Sequence, residues 1–270
     1  MQKITPVIDF EEELTGLFDL KGKVAFVPGG YGGLGEAIAW GLALQGAKVA
    51  VCGRSAEKAE RLARALGDAG HQAIGLQLDT TSVEHIGQVV DRVVERAGGL
   101  DILVNCVGLQ REEPLLEVTE EAFDEVYRVN LKSAMFLAQA AARHQIAAGR
   151  GGRQVHLLSV RAQLGLRDRG YSAYCSTKGG LAMLIKQHAM ELAPKGITVN
   201  GVAPTFVYTE MIRHVMERPA FRQQLIERIP LGRIADPKDV VGPVLFFCAP
   251  ASGFVTGQTL YVDGGITASQ

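Results

Sequence analysis

Hydrophobic and polar positions follow two rhythms along this chain. Short apolar runs recur at residues 24–27 (VAFV), 48–52 (KVAVC), 72–78, 101–104 (DILV), 153–158, 197–200 (ITVN) and 259–262 (TLYV). Between them lie longer stretches with apolar residues at helical spacing, near 34–45, 56–67, 82–96, 119–127, 130–148, 174–190 and 237–248. Apolar runs without alternation read as strands covered on both faces. Strands that alternate with helices build a parallel sheet. No linker-like stretch divides residues 21–270, so they read as a single domain. Residues 1–20 read as an added arm.

In such sheets ligands bind beyond the carboxyl ends of the strands. The residues expected there are Gly29, Arg54, Asp79, Asn105, Ser159 and Pro204. After the first strand stands GGYGGLG, residues 29–35, ahead of a helix. Gly29, Gly32, Gly33, Leu34 and Gly35 form a turn whose backbone can approach a pyrophosphate, with the helix N-terminus favouring its charge. The spacing from Gly29 is GxxxGxG, a variant of the usual GxGxxG. With this turn the expected fold is α/β and Rossmann-like: a doubly wound, mostly parallel seven-stranded sheet with helices on both faces.

The second strand ends in Cys52-Gly53-Arg54, with no acid to receive a ribose diol. Arg54 can pair with a 2′-phosphate and Ser55 can add a hydroxyl, so NADP(H) is favoured and NAD(H) is the alternative. The plainer reading of Arg54 is a solvated strand end. Asp79 can accept from an adenine amine, with the Thr80 amide on the ring edge; residues 80–82 equally suit a helix N-cap. Asn105 with Gly108 suits a closely packed ribose, or a structural bridge between strands.

Tyr174 and Lys178 lie four residues apart, one turn of a helix. An ammonium beside a phenol favours the phenolate, which lowers the expected pKa of Tyr174 towards neutrality. Such a phenol can exchange a proton with a carbonyl or an alcohol oxygen. With a nucleotide cofactor this is a redox device. Ser159 ends the fifth apolar run. In the loop 161–172, Arg161 can meet a substrate carboxylate or sugar hydroxyl, or pair within the loop; Gln163 and Tyr171 are further pocket candidates. Residues 204–230 read as a substrate lid carrying Phe206, Tyr208, Met211, Ile212, His214, Met216 and Phe221.

Charge removes other classes. With 28 basic and 29 acidic side chains and no basic cluster, nothing favours a nucleic-acid partner. Cysteines 52, 106, 175 and 248 have neither metal-ligand nor disulfide spacing, and the histidines are scattered. The acidic first 20 residues are no signal peptide, and no apolar stretch reaches membrane-span length. A soluble, cytoplasmic protein is expected. Ser159 lacks the Gly-x-Ser-x-Gly setting of a hydrolase nucleophile.

Taken in order, the turn 29–35, Asp79, the 105–108 segment (NCVG), Asn130, Ser159, residues 174–178 (YCSTK), the 202–204 segment (VAP), Thr209 and residues 261–265 (YVDGG) resemble the short-chain dehydrogenase/reductase family over about residues 20–265. The resemblance implies that Tyr174 is the general acid or base. Lys178 would hold the nicotinamide ribose, Ser159 would orient the substrate oxygen, and Asn130 would bend its helix and hold a water near Lys178. Pro204, Val207 and Thr209 would contact the nicotinamide side. It also implies a homodimer or homotetramer, with residues 131–142 and 253–266 as the candidate contacts. Four departures stand out. Pro28 replaces the usual threonine, Cys106-Val107 replaces Asn-Ala, Thr205 replaces a glycine, and the loop 167–170 lengthens the Ser159–Tyr174 separation.

The expected function is interconversion of a carbonyl and a secondary alcohol, with a sugar, sugar acid or polyol as small-molecule substrate. The alternatives are an NAD-linked sugar or polyol dehydrogenase, a 3-oxoacyl thioester reductase and a non-catalytic nucleotide-binding scaffold.

Overall fold

The computed structural model describes residues 10–167, 169–209 and 219–268. A short helix, α1 (Phe10–Leu14), precedes the alternating elements: β1 (Val24–Pro28), α2 (Leu34–Leu44), β2 (Lys48–Gly53), α3 (Ala56–Asp68), β3 (Ala73–Gln77), α4 (Val83–Ala97) and β4 (Ile102–Asn105). The second half adds α5 (Glu120–Tyr127), α6 (Ser133–Ala148), β5 (Gly152–Leu157), α7 (Ser172–Leu192) and β6 (Ile197–Pro204). It ends with α8 (Pro219–Glu227), α9 (Pro237–Cys248) and β7 (Thr259–Val262).

All seven strands join one parallel sheet in the order β3-β2-β1-β4-β5-β6-β7. The expected fold class is the observed one. Chain order reverses between β1 and β4, and a crevice opens at the carboxyl ends there. One face of the sheet packs on α2, α3 and α9 through Ile38, Leu42, Leu66, Val244 and Phe247. The other packs on α4, α6 and α7 through Ile86, Val90, Leu137, Leu181 and Ile185. Burial on both faces is why the strands read as unbroken apolar runs.

Element bounds correct the sequence reading in two places. Helix α7 begins at Ser172, a turn's fraction before Tyr174, and β6 extends to Pro204 rather than ending at Asn200. In β6 the Asn200 side chain donates to the Val255 carbonyl (2.8 Å) and accepts from the Gln258 amide (3.0 Å). A Cβ at Gly201 would stand 2.1 Å from Leu158 Cδ1. Tertiary contacts thus put an amide and a glycine inside a strand, where local pattern reads a break.

The arm is tied to the body. The Leu20 amide donates to Gln45, the Ala251 amide donates to Leu17, and Leu20 is buried. The apolar residues Leu137, Ala138, Ala141 and Ala142 of the expected 131–142 contact surface are core instead. In the 253–266 stretch Phe254 and Leu260 are exposed. Among the described residues no helix is long and apolar enough to cross a membrane.

Candidate active site

The glycine-rich turn lies at the switch point. Gly29 has φ 76° and its amide donates to the Cys52 carbonyl (2.8 Å). A Cβ on Gly29 would meet the Cys106 carbonyl carbon at 2.8 Å, and one on Gly35 would meet the Gly29 oxygen at 2.1 Å. These glycines let three backbone segments close into a cradle. Gly32 is exposed with open space over its Cα, and α2 starts at Gly33 with no side-chain cap. Uncapped amides at a helix N-terminus beside a bare backbone fit a pyrophosphate. Pro28 ends β1 without loss of its other link, since its carbonyl accepts from the Cys106 amide (2.9 Å). Gly35→Ala is expected to cost about 1–3 kcal/mol through overpacking, read as a lower melting temperature together with lost NADPH binding. An unchanged melting temperature would contradict the crowding.

Around this cradle the side chains divide. Arg54 is exposed at the end of β2, and its positive charge reaches Asp79. Ser55 caps α3: its hydroxyl accepts from the Lys58 amide (3.2 Å), which leaves the hydroxyl proton to donate. Its own amide donates to the Tyr31 hydroxyl (2.8 Å), and the Tyr31 ring lies where a Cβ on Gly53 would sit. Tyr31 went unnoticed in the sequence, although an aromatic among glycines facing a strand-end glycine is a usable signal. Asp79 Oδ1 accepts from the Thr81 amide (2.9 Å) and hydroxyl (2.7 Å), which holds its carboxyl below the usual range. The helix cap there is Ser82, and Thr80 is partly exposed beside it.

Asn105 forms a bridge between strands. Its Oδ1 accepts from the Val107 amide (3.1 Å), and its Nδ2 lies 3.3 Å from His156 Nδ1 on β5. An amide NH2 only donates, so His156 Nδ1 accepts and the ring proton sits on Nε2. Burial pushes His156 down to about 3, with His188 and Lys178 adding to the effect. Cys106, beside it, is pushed up to about 12 by burial and stays a thiol.

Across the crevice stand the remaining candidates. Ser159 stands near enough to Tyr174 to favour its phenolate, and the Ser159 hydroxyl accepts from the Arg161 amide (3.2 Å). Lys178 is buried. Its Nζ donates to the Leu157 carbonyl (2.8 Å) and lies 5.7 Å from the Tyr174 ring centroid. Burial lowers Lys178 to about 8. The expected fall of the Tyr174 pKa is reversed. Burial pushes the phenol up to about 12, against a smaller lowering by nearby Ser159. Helical spacing brought the two side chains to one face, but the ammonium turned to a carbonyl, and desolvation dominates.

A π-turn over Arg128–Lys132 bends the chain ahead of α6 and carries Asn130. The Asn130 amide group accepts from the Leu109 amide (2.7 Å) and donates to the Leu109 carbonyl (2.9 Å) and Thr177 Oγ1 (3.2 Å). Its side chain therefore ties the 105–109 loop to α7. A Cβ on Gly108 would come within 3.9 Å of Lys178 Nζ, so that loop and lysine are neighbours.

The pocket-wall candidates take different settings. Arg161 is buried, while Gln163 is exposed. Tyr171 is buried, 6.2 Å from Tyr174 between ring centroids. Its hydroxyl accepts from Gln110 Nε2 (2.6 Å) and donates to Glu112 (3.2 Å), which Arg169 holds bidentately. On the lid side Pro204 ends β6, Val207 bridges to Ala235 and Phe206 is half-buried. Thr209 approaches the turn: its Cγ2 is 3.6 Å from a Cβ built on Gly33. The Thr205 hydroxyl is buried with no partner among the described residues. Met211, Ile212, His214 and Met216, and the side chain of Phe221, lie outside the described residues.

The family model described as Enoyl-(Acyl carrier protein) reductase matches residues 30–267. Gluconate 5-dehydrogenase of Gluconobacter oxydans is 38% identical over 258 residues, covering 94% of this chain and 98% of that protein. For 5-keto-D-gluconate 5-reductase of Escherichia coli the identity is 34% over 253 residues, with the same coverage of each. A crystal structure of a gluconate 5-dehydrogenase from Burkholderia cenocepacia, in complex with NADP and tartrate, superposes with a TM-score of 0.90 at 36% identity. It covers 94% of this chain and 99% of that one.

Proposed function

This chain belongs to the short-chain dehydrogenase/reductase family of oxidoreductases, and from that premise we propose that it interconverts a secondary alcohol and a ketone on a hydroxylated small molecule, with NADP(H) preferred. The observation that carries the reading is the convergence of Ser159, just past the carboxyl end of β5, with Tyr174 and Lys178, one turn apart on α7, with the glycine cradle across the crevice.

The pyrophosphate is assigned to the backbone of Gly29, Gly32, Gly33, Leu34 and Gly35, and the adenine to Asp79 and Thr80. Arg54 takes the 2′-phosphate. The 105–108 loop, whose shape Asn105 fixes, borders the ribose with Gly108, and Pro204, Val207 and Thr209 close the nicotinamide side. When bound, the dinucleotide supplies or accepts the hydride. Tyr174 donates its phenolic proton to the substrate oxygen in reduction and recovers it in oxidation. Ser159 holds that oxygen in line with the phenol. Lys178 places a buried positive charge one turn from Tyr174 and is assigned to the ribose hydroxyls. Asn130 fixes the distance between the 105–109 loop and α7.

A sugar acid, sugar or polyol is the substrate class we favour, because the similar proteins are named for gluconate and 5-ketogluconate. The family model's description keeps acyl thioesters as a second reading. Turnover of sugar acids, polyols, diketones and 3-oxoacyl thioesters with NADPH and NADH tests both. Absence of any turnover across that panel would leave only a nucleotide-binding scaffold. Arg54→Ala is expected to raise the KM for NADPH about 10-fold, the low end for a charge-assisted contact because Arg54 is exposed. The KM for NADH should not move. An unchanged NADPH KM would remove Arg54 from the phosphate.

A further inference from the structure

We propose, resting on the redox reading above, that Arg161 anchors a carboxylate subsite, so that the substrate is a hydroxy or keto acid held by its anionic end. Arg161 sits two residues past Ser159 and is only 8% exposed. Its backbone amide is fixed on the Ser159 hydroxyl, so the guanidinium starts from the catalytic turn itself. Nη1 donates to the carbonyls of Leu164 (3.3 Å) and Gly165. Nε and Nη2 have no partner among the described residues, and they are not sealed from solvent either. No carboxylate among the described residues pairs with this arginine. Arg111, Arg150, Arg169 and Arg233, all more exposed, each have one.

A buried guanidinium without an anion is a costly arrangement. Burial lowers its pKa, and Arg228 adds a second positive charge from the chain after α8. The charge of Arg161 favours the ionised forms of Tyr174 and Cys175, so it acts on the same side of the site as the phenol. Two free, coplanar donors match a carboxylate, whereas a neutral hydroxyl would leave the charge uncompensated. The mouth of the pocket is compatible with an anion as well. Glu112 would repel one, but Arg169 neutralises it and the Tyr171 hydroxyl donates to it.

The test is binding and turnover by NADPH- or NADP-loaded protein: wild type, Arg161→Met and Arg161→Lys. The probes are gluconate, tartrate and lactate, each set against its neutral counterpart, sorbitol, threitol or propane-1,2-diol. Calorimetric binding of at least one acid by the wild type should exceed that of its counterpart. Arg161→Met should weaken that acid roughly 10- to 100-fold, the neutral compound little, and Arg161→Lys should recover part of the loss. Equal losses on acid and neutral compound would mark Arg161 as a purely structural support and overturn the subsite. So would a wild type that prefers none of the acids. Binding preference without turnover of any probe would instead retain the subsite and count against the redox reading.

Discussion

Tyr174→Phe is expected to lower turnover roughly 100- to 10,000-fold, the span of a lost general acid, while NADPH binding is kept. The Tyr174 side chain is half-buried, with Ser159 near its hydroxyl. Phenylalanine keeps the ring, its packing against Tyr171 and the backbone of α7, and removes only the oxygen. The direction of the pKa shift adds a second check. With burial holding the phenol at about 12, the protonated form dominates near neutral pH. Reduction, which needs the acid form, should then be level across neutral pH. Oxidation, which needs the base form, should rise as the medium becomes alkaline. Parallel stopped-flow measurements in both directions would show the opposite slopes. Near wild-type turnover by Tyr174→Phe, or a loss matched by lost NADPH affinity, would take the proton transfer away from this residue.

Lys178→Met should separate activity from stability. Activity is expected to fall by at least about 100-fold as the buried charge beside the phenol disappears. Stability follows a different course. The wild-type ammonium titrates near 8 in the folded chain against 10.5 for the unperturbed group. Between those values the unfolded chain binds the extra proton, so wild-type stability rises with pH through this window. The rise amounts to about 3 kcal/mol, and methionine cannot show it. Chemical denaturation of both proteins from pH 7 to 10.5 measures the difference. The stability of the variant relative to wild type should be highest at the low end and decline towards 10.5. A constant difference would mean that the lysine is not penalised by burial.

How far the sequence could be read depended on what each signal encodes. Strands buried on both faces leave continuous apolar runs, and the glycine turn must stand at the first strand end, so the sheet and its crevice were legible. Residues whose role rests on a distant partner were not. For Asn105 the sequence left a ribose contact and a bridge between strands both open, and only the fold shows the bridge, to His156, fifty-one positions away in the chain. The spacing of Tyr174 and Lys178 fixed a shared helix face, but not which acceptor the ammonium would choose, nor how dry the phenol would be. Arg161 showed its isolation only once the carboxylates were located in space.

The burial of His156 under its link to Asn105 also governs how the molecule meets acid. The imidazole refuses a proton down to about 3 while folded, although an unperturbed ring would accept one near 6.5. Souring the medium therefore leaves the floor beneath the crevice chemically untouched, while each proton the ring would otherwise take favours the unravelled chain. At this position acid tolerance ends with the whole molecule melting, and not with a gradual detuning of the site.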